Sequence, residues 1–312
     1  MTIQTPKFAV ETWGVGYEPA PDGSQLEPSS ADVDPSVELP AGNWRPLTPD
    51  PLYVLPQEVA FVDGIRRIDA SIVIETDTGV RPGICASVAA GVVTARCHRA
   101  AQVVDTQVLR GVFSTSGVHP IETKHGTYQV RTCASDDRES LYLGIHQAMT
   151  QLELRCSEDL SVEMIIFDGP LRSREITSGV GYIKAQHVLY LPDECQRVVY
   201  NLSAGQRTPV FVVGSGGQNR WSWYVRLPGP ITHGLSGTVR CELPGFGTVD
   251  DVIPRADVIS RVLLRFASEP HKDPRAPQNL YPIAGLERAL RRRLGDVQLL
   301  QRGLRIAAST TP

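Results

Sequence analysis

No stretch of this 312-residue chain approaches the ~20 consecutive apolar residues needed to cross a bilayer, which argues against a membrane-spanning helix. Its six cysteines, Cys85, Cys97, Cys133, Cys156, Cys195 and Cys241, form no CxxC or other paired spacing, so a zinc ribbon has no ligand set. With no secretory signal segment either, the expected setting is the reducing cytoplasm. The seven histidines form no HExxH or HxH cluster, which argues against a histidine-rich zinc site. There is no G-x-S-x-G elbow to present a serine nucleophile. Gly214-Ser215-Gly216-Gly217 is followed by no Lys-Ser/Thr and no helix, so it reads as a hairpin loop. The chain therefore has no ATP-binding loop of its own. Excess positive charge is missing too: the net charge is −3, and contact with a polyanion would have to come from local patches. Arg172 with Arg174, and Arg291-Arg292-Arg293, are such patches, each equally readable as a solvated surface.

What is present is an ordinary composition, 41% hydrophobic and 21% charged, in a length that suits one large domain with or without an appendage. Within it, two hydrophobic runs 105 residues apart each end on Asp-Gly. The first is Val59-Ala60-Phe61-Val62-Asp63-Gly64; the second is Val162-Glu163-Met164-Ile165-Ile166-Phe167-Asp168-Gly169-Pro170. Apolar, β-branched runs of this length predict buried strands, each stopped by the glycine that follows. Carboxylates on neighbouring strand tips repel unless one is protonated or a cation sits between them. Oxygen donors of this kind suit Mg²⁺ or Mn²⁺, ions that also bind phosphate oxygens. Asp63 and Asp168 thus outline a metal-dependent nuclease site, although Asp-Gly is also an ordinary turn.

Residues 1–57 are rich in Pro, Ser, Asp and Gly and predict an extended arm. Phe8, Trp13, Tyr17 and Trp44 suggest that it docks, on the body of the same chain, a second subunit or another protein. Residues 58–312 form the expected main domain. Strands at 58–76, 84–97 and 102–113 make an antiparallel meander. A helix over 136–157, capped by Ser135 or Asp136, carries Leu141, Ile145, Ala148, Met149 and Leu152 on one stripe. The strand ending at Asp168 follows, then 180–184, a helix or loop at 193–204, and strands at 208–213, 221–227 and 237–243. Residues 254–264 predict a helix opening near Pro254. Residues 270–280 read as an irregular polar loop, and 283–308 as a helix or helix pair broken near Gly295. In Trp221-Ser222-Trp223-Tyr224, core packing is favoured over a base-stacking platform.

A meander, a helix and a further strand, with aspartates on the first and fourth strands, is the order of an RNase H-like mixed sheet flanked by helices, here with additional strands. Val62-Asp63-Gly64, Phe167-Asp168-Gly169-Pro170-Leu171, Gly181-Tyr182-Ile183-Lys184 and Tyr281-Pro282 at the head of a C-terminal helix follow one another as in the NurA nucleases. The chain resembles that family over about 58–305. The resemblance implies an α/β, RNase H-like fold with strands one and four side by side. It implies a Mn²⁺- or Mg²⁺-dependent deoxyribonuclease, with Mn²⁺ the better activator, that processes DNA ends as a homodimer with a HerA-like hexameric ATPase. One departure stands out: many members carry Ala-His about two turns into the Tyr-Pro helix, where this chain reads Gly285-Leu286-Glu287-Arg288-Ala289. Either Glu287 replaces that histidine or the site is weakened, and the second case describes an inactive adaptor on a translocase.

Asp63 and Asp168 are the expected metal ligands and catalytic carboxylates. A third belongs on the intervening helix: Glu153 is the first choice, and Glu139, suitably placed for the helix dipole in any case, is the alternative. Lys184 either approaches the scissile phosphate or is a strand-end lysine, and Arg172 and Arg174 are expected to contact DNA. Tyr281 either orients a phosphate or water at the metals or caps the core.

Overall fold

The computed structural model describes residues 27–28, 31–76, 79–96, 99–115, 119–171, 176–184, 188–215, 218–231 and 233–310. The elements run β1 (Glu27–Pro28), β2 (Asp32–Asp34), a 3-10 turn (Ala41–Asn43), β3 (Glu58–Thr76), β4 (Gly79–Arg96), β5 (Gln102–Ser114), β6 (Ile121–Thr123) and β7 (Gly126–Thr132). There follow α1 (Arg138–Ser157), β8 (Ile165–Asp168), β9 (Gly179–Ile183), β10 (Val188–Leu189), α2 (Asp193–Tyr200), β11 (Phe211–Ser215), β12 (Gln218–Arg226) and β13 (Thr238–Pro244). Three helices close the chain: α3 (Val249–Phe266), α4 (Tyr281–Arg293) and α5 (Val297–Thr310). This is a mixed α/β architecture in which parallel and antiparallel strand pairs are flanked by helices. Among the described residues no helix is long and apolar enough to cross a membrane.

Contacts divide the chain into two compact units, residues 1–59 with 163–284 and residues 60–162 with 285–312. In the second, strands hydrogen-bond in the order β3-β4-β5-β7-β6. β4 and β5 are antiparallel from Ile84↔Phe113 to Thr94↔Gln102, with a register shift at Val92/Val93. β7 runs parallel to β5, and β6 folds back on β7. Every residue of β4 from Gly83 to Val93 is buried, as expected of a central strand covered on both faces. Helix α1 packs on β4 and β5. Leu300 and Leu304 of α5 join Cys85, Val112 and Tyr128 in one apolar cluster. The α1 cap is Asp137, whose carboxylate accepts the Ser140 N–H at 2.8 Å, rather than Ser135 or Asp136. Ser135 instead donates its hydroxyl to Asp137.

In the first unit the strand order is β2-β11-β12-β13-β9-β8. β8 and β9 are parallel, and the pairs from β9 to β2 are antiparallel. β12 is covered on both sides: Trp223 donates its indole N–H to Ser260 of α3 at 3.0 Å, while Tyr224 stacks on Phe211 at 5.7 Å. The aromatics buried in this strand are therefore adjacent, which replaces the alternation expected of a half-buried strand. Helix α3 starts earlier than expected, at a capping box between Thr248 and Asp251, and Pro254 lies inside it.

The expected boundary at 57/58 falls beside one crossing point between units, but residues 31–57 belong to the body of the first unit. β2 pairs with β11. Trp44, 9% exposed, sits in a cluster with Phe211, Tyr224 and Val199 and donates to the Pro35 carbonyl at 2.8 Å. Glu38 holds the buried Arg207 guanidinium through two contacts of 2.9 Å, and Asp257 of α3 accepts from its Nε at 2.5 Å. Asp257 also accepts the Asp50 N–H at 3.0 Å. Trp44 thus docks on its own chain, whereas Phe8, Trp13 and Tyr17 lie outside the described residues. Trp44→Ala is expected to cost about 3–5 kcal/mol, the usual range for emptying an aromatic site. Arg207→Ala, which strands two buried carboxylates, costs a similar ~3–5 kcal/mol. Urea denaturation followed by circular dichroism measures both; a wild-type midpoint in either variant would detach the arm from the stability of this unit.

Candidate functional site

In the second unit Ala60, Phe61 and Val62, which lead to Asp63, are fully buried, and Asp63 itself is 6% exposed. Its Oδ1 accepts the Gly64 N–H at 2.8 Å. Gly64 does not stop the strand, contrary to the Asp-Gly reading: β3 continues to Thr76, as the expected 58–76 strand has it. The reason for glycine is overhead: a Cβ built at 64 would stand 2.6 Å from Glu153 Oε1 and 2.7 Å from Met149 Cγ, both on α1. Glycine allows the helix to lie against β3 here, and that approach brings the Glu153 carboxylate, 3% exposed, over the residue next to Asp63.

Helix α4 adds another carboxylate. Leu286 packs against Gly91 of β4, its Cδ1 3.2 Å from where a Cβ would stand. The next residue, Glu287, is 3% exposed and has a carboxylate oxygen within 4.8 Å of one from Asp63. Arg291, one helical turn on, lies 3.5 Å from Glu287, but its own side chain is 64% exposed and well screened. Two buried carboxylates at this range are mutually repulsive unless a proton or cation compensates them. Hard oxygen donors of this kind fit Mg²⁺ or Mn²⁺.

In the first unit Asp168 is the last residue of β8. Gly169, at φ +115°, makes a backward turn that residues with a side chain rarely adopt, and it exchanges backbone hydrogen bonds with Tyr182. Here the sequence reading of a strand ending on Asp-Gly is accurate. The Lys184 ammonium meets Asp168 Oδ2 at 2.5 Å, with side chains 5% and 8% exposed. It also donates to Asn279 Oδ1 at 3.0 Å, and Asn279 Nδ2 donates to Asp273 Oδ2 at 2.8 Å. Gln278 fastens the same loop by donating to the carbonyls of Lys184 and Thr238, each at 3.1 Å. The Tyr182 hydroxyl donates to the Gln278 carbonyl at 2.7 Å. Burial, and secondarily the negative Asp168 nearby, push that phenol well above its ordinary range, so it remains a donor. A second buried carboxylate, Glu242, accepts the Leu171 N–H at 3.1 Å and is neutralised by Arg240 at 2.6 Å. It secures the chain three residues beyond Asp168.

Of the other expected site residues, Tyr281 opens α4 half-buried, with Lys272 donating to its hydroxyl at 3.2 Å and lying over its ring at 5.0 Å. Glu139 is exposed in the first turn of α1, where it favours the helix dipole. Arg172 and Arg174 lie outside the described residues. Asp273, Asn279 and Glu242 were not singled out from the sequence. The first two fall in a stretch that reads as irregular loop, and nothing local distinguishes them. No protein-family model matches the chain, and no curated protein matches it either.

Gly64→Ala places a methyl group into the Glu153 and Met149 side chains, and the overpacking is expected to cost about 1–3 kcal/mol. Chemical denaturation reads the cost directly. A variant as stable as wild type would mean that α1 is free to move off β3.

Proposed function

We propose that this chain is a metal-dependent deoxyribonuclease with an RNase H-like catalytic core, similar to the NurA nucleases. It acts on DNA ends as a homodimer with a HerA-like hexameric ATPase. The observation that carries this reading is the buried pair Asp63 and Glu287, whose carboxylate oxygens approach within 4.8 Å, a donor set suited to Mn²⁺ or Mg²⁺. Glu287 stands in the helix stretch where many NurA nucleases carry histidine, so its carboxylate is the replacement ligand. Glu153 is the further carboxylate we assign to this centre, and Asp168 is the metal ligand that the resemblance implies.

A cation held there supplies Lewis acidity, neutralising the scissile phosphate and lowering the pKa of an attacking water. The chain's own part is orientation. Lys184 fixes Asp168 Oδ2 through a short charge-assisted contact. Gly64 lets α1 present Glu153 from a packed helix rather than a loop. Tyr281, at the head of the helix that bears Glu287, is the residue we assign to orienting a phosphate oxygen. The ATPase partner and the dimer are what the NurA resemblance implies, and they suit a sequence with no nucleotide-binding loop of its own.

Asp63→Asn is expected to abolish Mn²⁺-dependent degradation of linear DNA while leaving the circular dichroism spectrum unchanged, and Glu287→Gln to impair it strongly. Equal rates in wild type and Asp63→Asn would remove the assignment. A wild type that degrades no DNA with Mn²⁺, alone or with the ATPase, would leave the adaptor reading.

A further inference from the structure

The Lys184–Asp168 pair is fastened by a buried relay that the catalytic reading does not need. β8 and β9 are parallel with Asp168 opposite Tyr182, so Lys184, two residues beyond, emerges at the same end of the sheet as Asp168. A lysine ammonium is a pure donor, and Asn279 offers it an oxygen at 3.0 Å. An amide can present either its oxygen or its NH₂, and the NH₂ facing a lysine would repel it. Asp273 decides between them. Its Oδ1 accepts the Arg275 N–H at 2.8 Å and its Oδ2 accepts Asn279 Nδ2 at 2.8 Å. A carboxylate only accepts, so the amide nitrogen is committed to Asp273 and the oxygen to Lys184. Asn279 has no solvent exposure, which leaves water unable to substitute for either partner.

We infer that Asp273 and Asn279 are positioning residues that hold the Lys184 ammonium on Asp168, making the lysine a resident counter-ion against which a divalent cation at Asp168 must bind. The inference rests on the metal-centre reading of Asp168. A fixed positive charge on a ligand carboxylate opposes a second cation there, so the relay sets the metal affinity. Removing the lysine tightens metal binding, and loosening it through Asn279 does so in part.

The test is Mn²⁺ affinity, followed by the electron paramagnetic resonance of the free ion, together with urea midpoints. It compares wild type, Lys184→Met, Asn279→Ala, the double variant and Asp168→Asn. Lys184→Met is expected to lower the Mn²⁺ Kd about tenfold. Asn279→Ala should lower it several-fold in the wild-type background and not at all beside Lys184→Met, because it acts through the lysine. Weaker Mn²⁺ binding in Lys184→Met, or the same shift from Asn279→Ala in both backgrounds, overturns the inference. If Asp168→Asn leaves Mn²⁺ binding unchanged, the metal reading of Asp168 fails instead, and the urea midpoints decide the relay. Asn279→Ala should then lower the midpoint of wild type more than that of Lys184→Met; equal lowering refutes it. If Asn279→Ala does not fold, Asp273→Ala, which removes the acceptor that orients the amide, takes its place with the same expectations.

Discussion

A carboxylate taken out of water must be met by a cation or by several hydrogen-bond donors, and the interior of this protein is arranged around that requirement. In the first unit basic side chains meet the requirement at several places. Arg207 serves Glu38 and Asp257, Arg240 serves Glu242, and Lys184 serves Asp168. In the second, Asp69 is met by Arg67 at 2.9 Å together with the hydroxyls of Ser87 and Tyr128 at 2.5 and 2.9 Å. Asp63 and Glu287 have partners too, in the Gly64 N–H and in Arg291, but here two carboxylates also approach each other, within 4.8 Å. That mutual approach is what separates a candidate centre from structural ion pairs.

The strands that carry the two aspartates were legible because an apolar, β-branched run is a physical signal in itself, independent of context. Asp168 was read correctly for a local reason: Gly169 takes a positive φ and turns the chain. The 58–76 strand was read with its true bounds, but Asp63-Gly64 was also read as a strand end, because Asp-Gly has the same appearance when the glycine answers to a helix some 90 residues later in the sequence. Residues 31–57 read as an arm for a similar reason. Proline-rich text cannot build a core, yet it can complete one built by other segments, as Trp44 does.

Glu287 was visible only as a departure from the NurA pattern, and its closeness to Asp63 depends on how α4 lies on β4. Asp273 and Asn279 were not legible. Their chemistry arises from burial and from the order in which donors and acceptors meet, neither of which is written into a six-residue spacing. The polar loop that looked least informative supplies the most specific hydrogen bonds near Asp168.

The second unit is discontinuous: its core cluster of Cys85, Val112 and Tyr128 is completed by Leu300 and Leu304 from α5. During synthesis the long strands β3, β4 and β5 leave the ribosome nearly two hundred residues before the helix that covers part of them. In that interval the nascent chain carries an uncovered apolar surface on extended strands, the kind of surface that pairs with other chains. The order of elements along the sequence thus leaves this part of the surface to be covered last, once α5 is made.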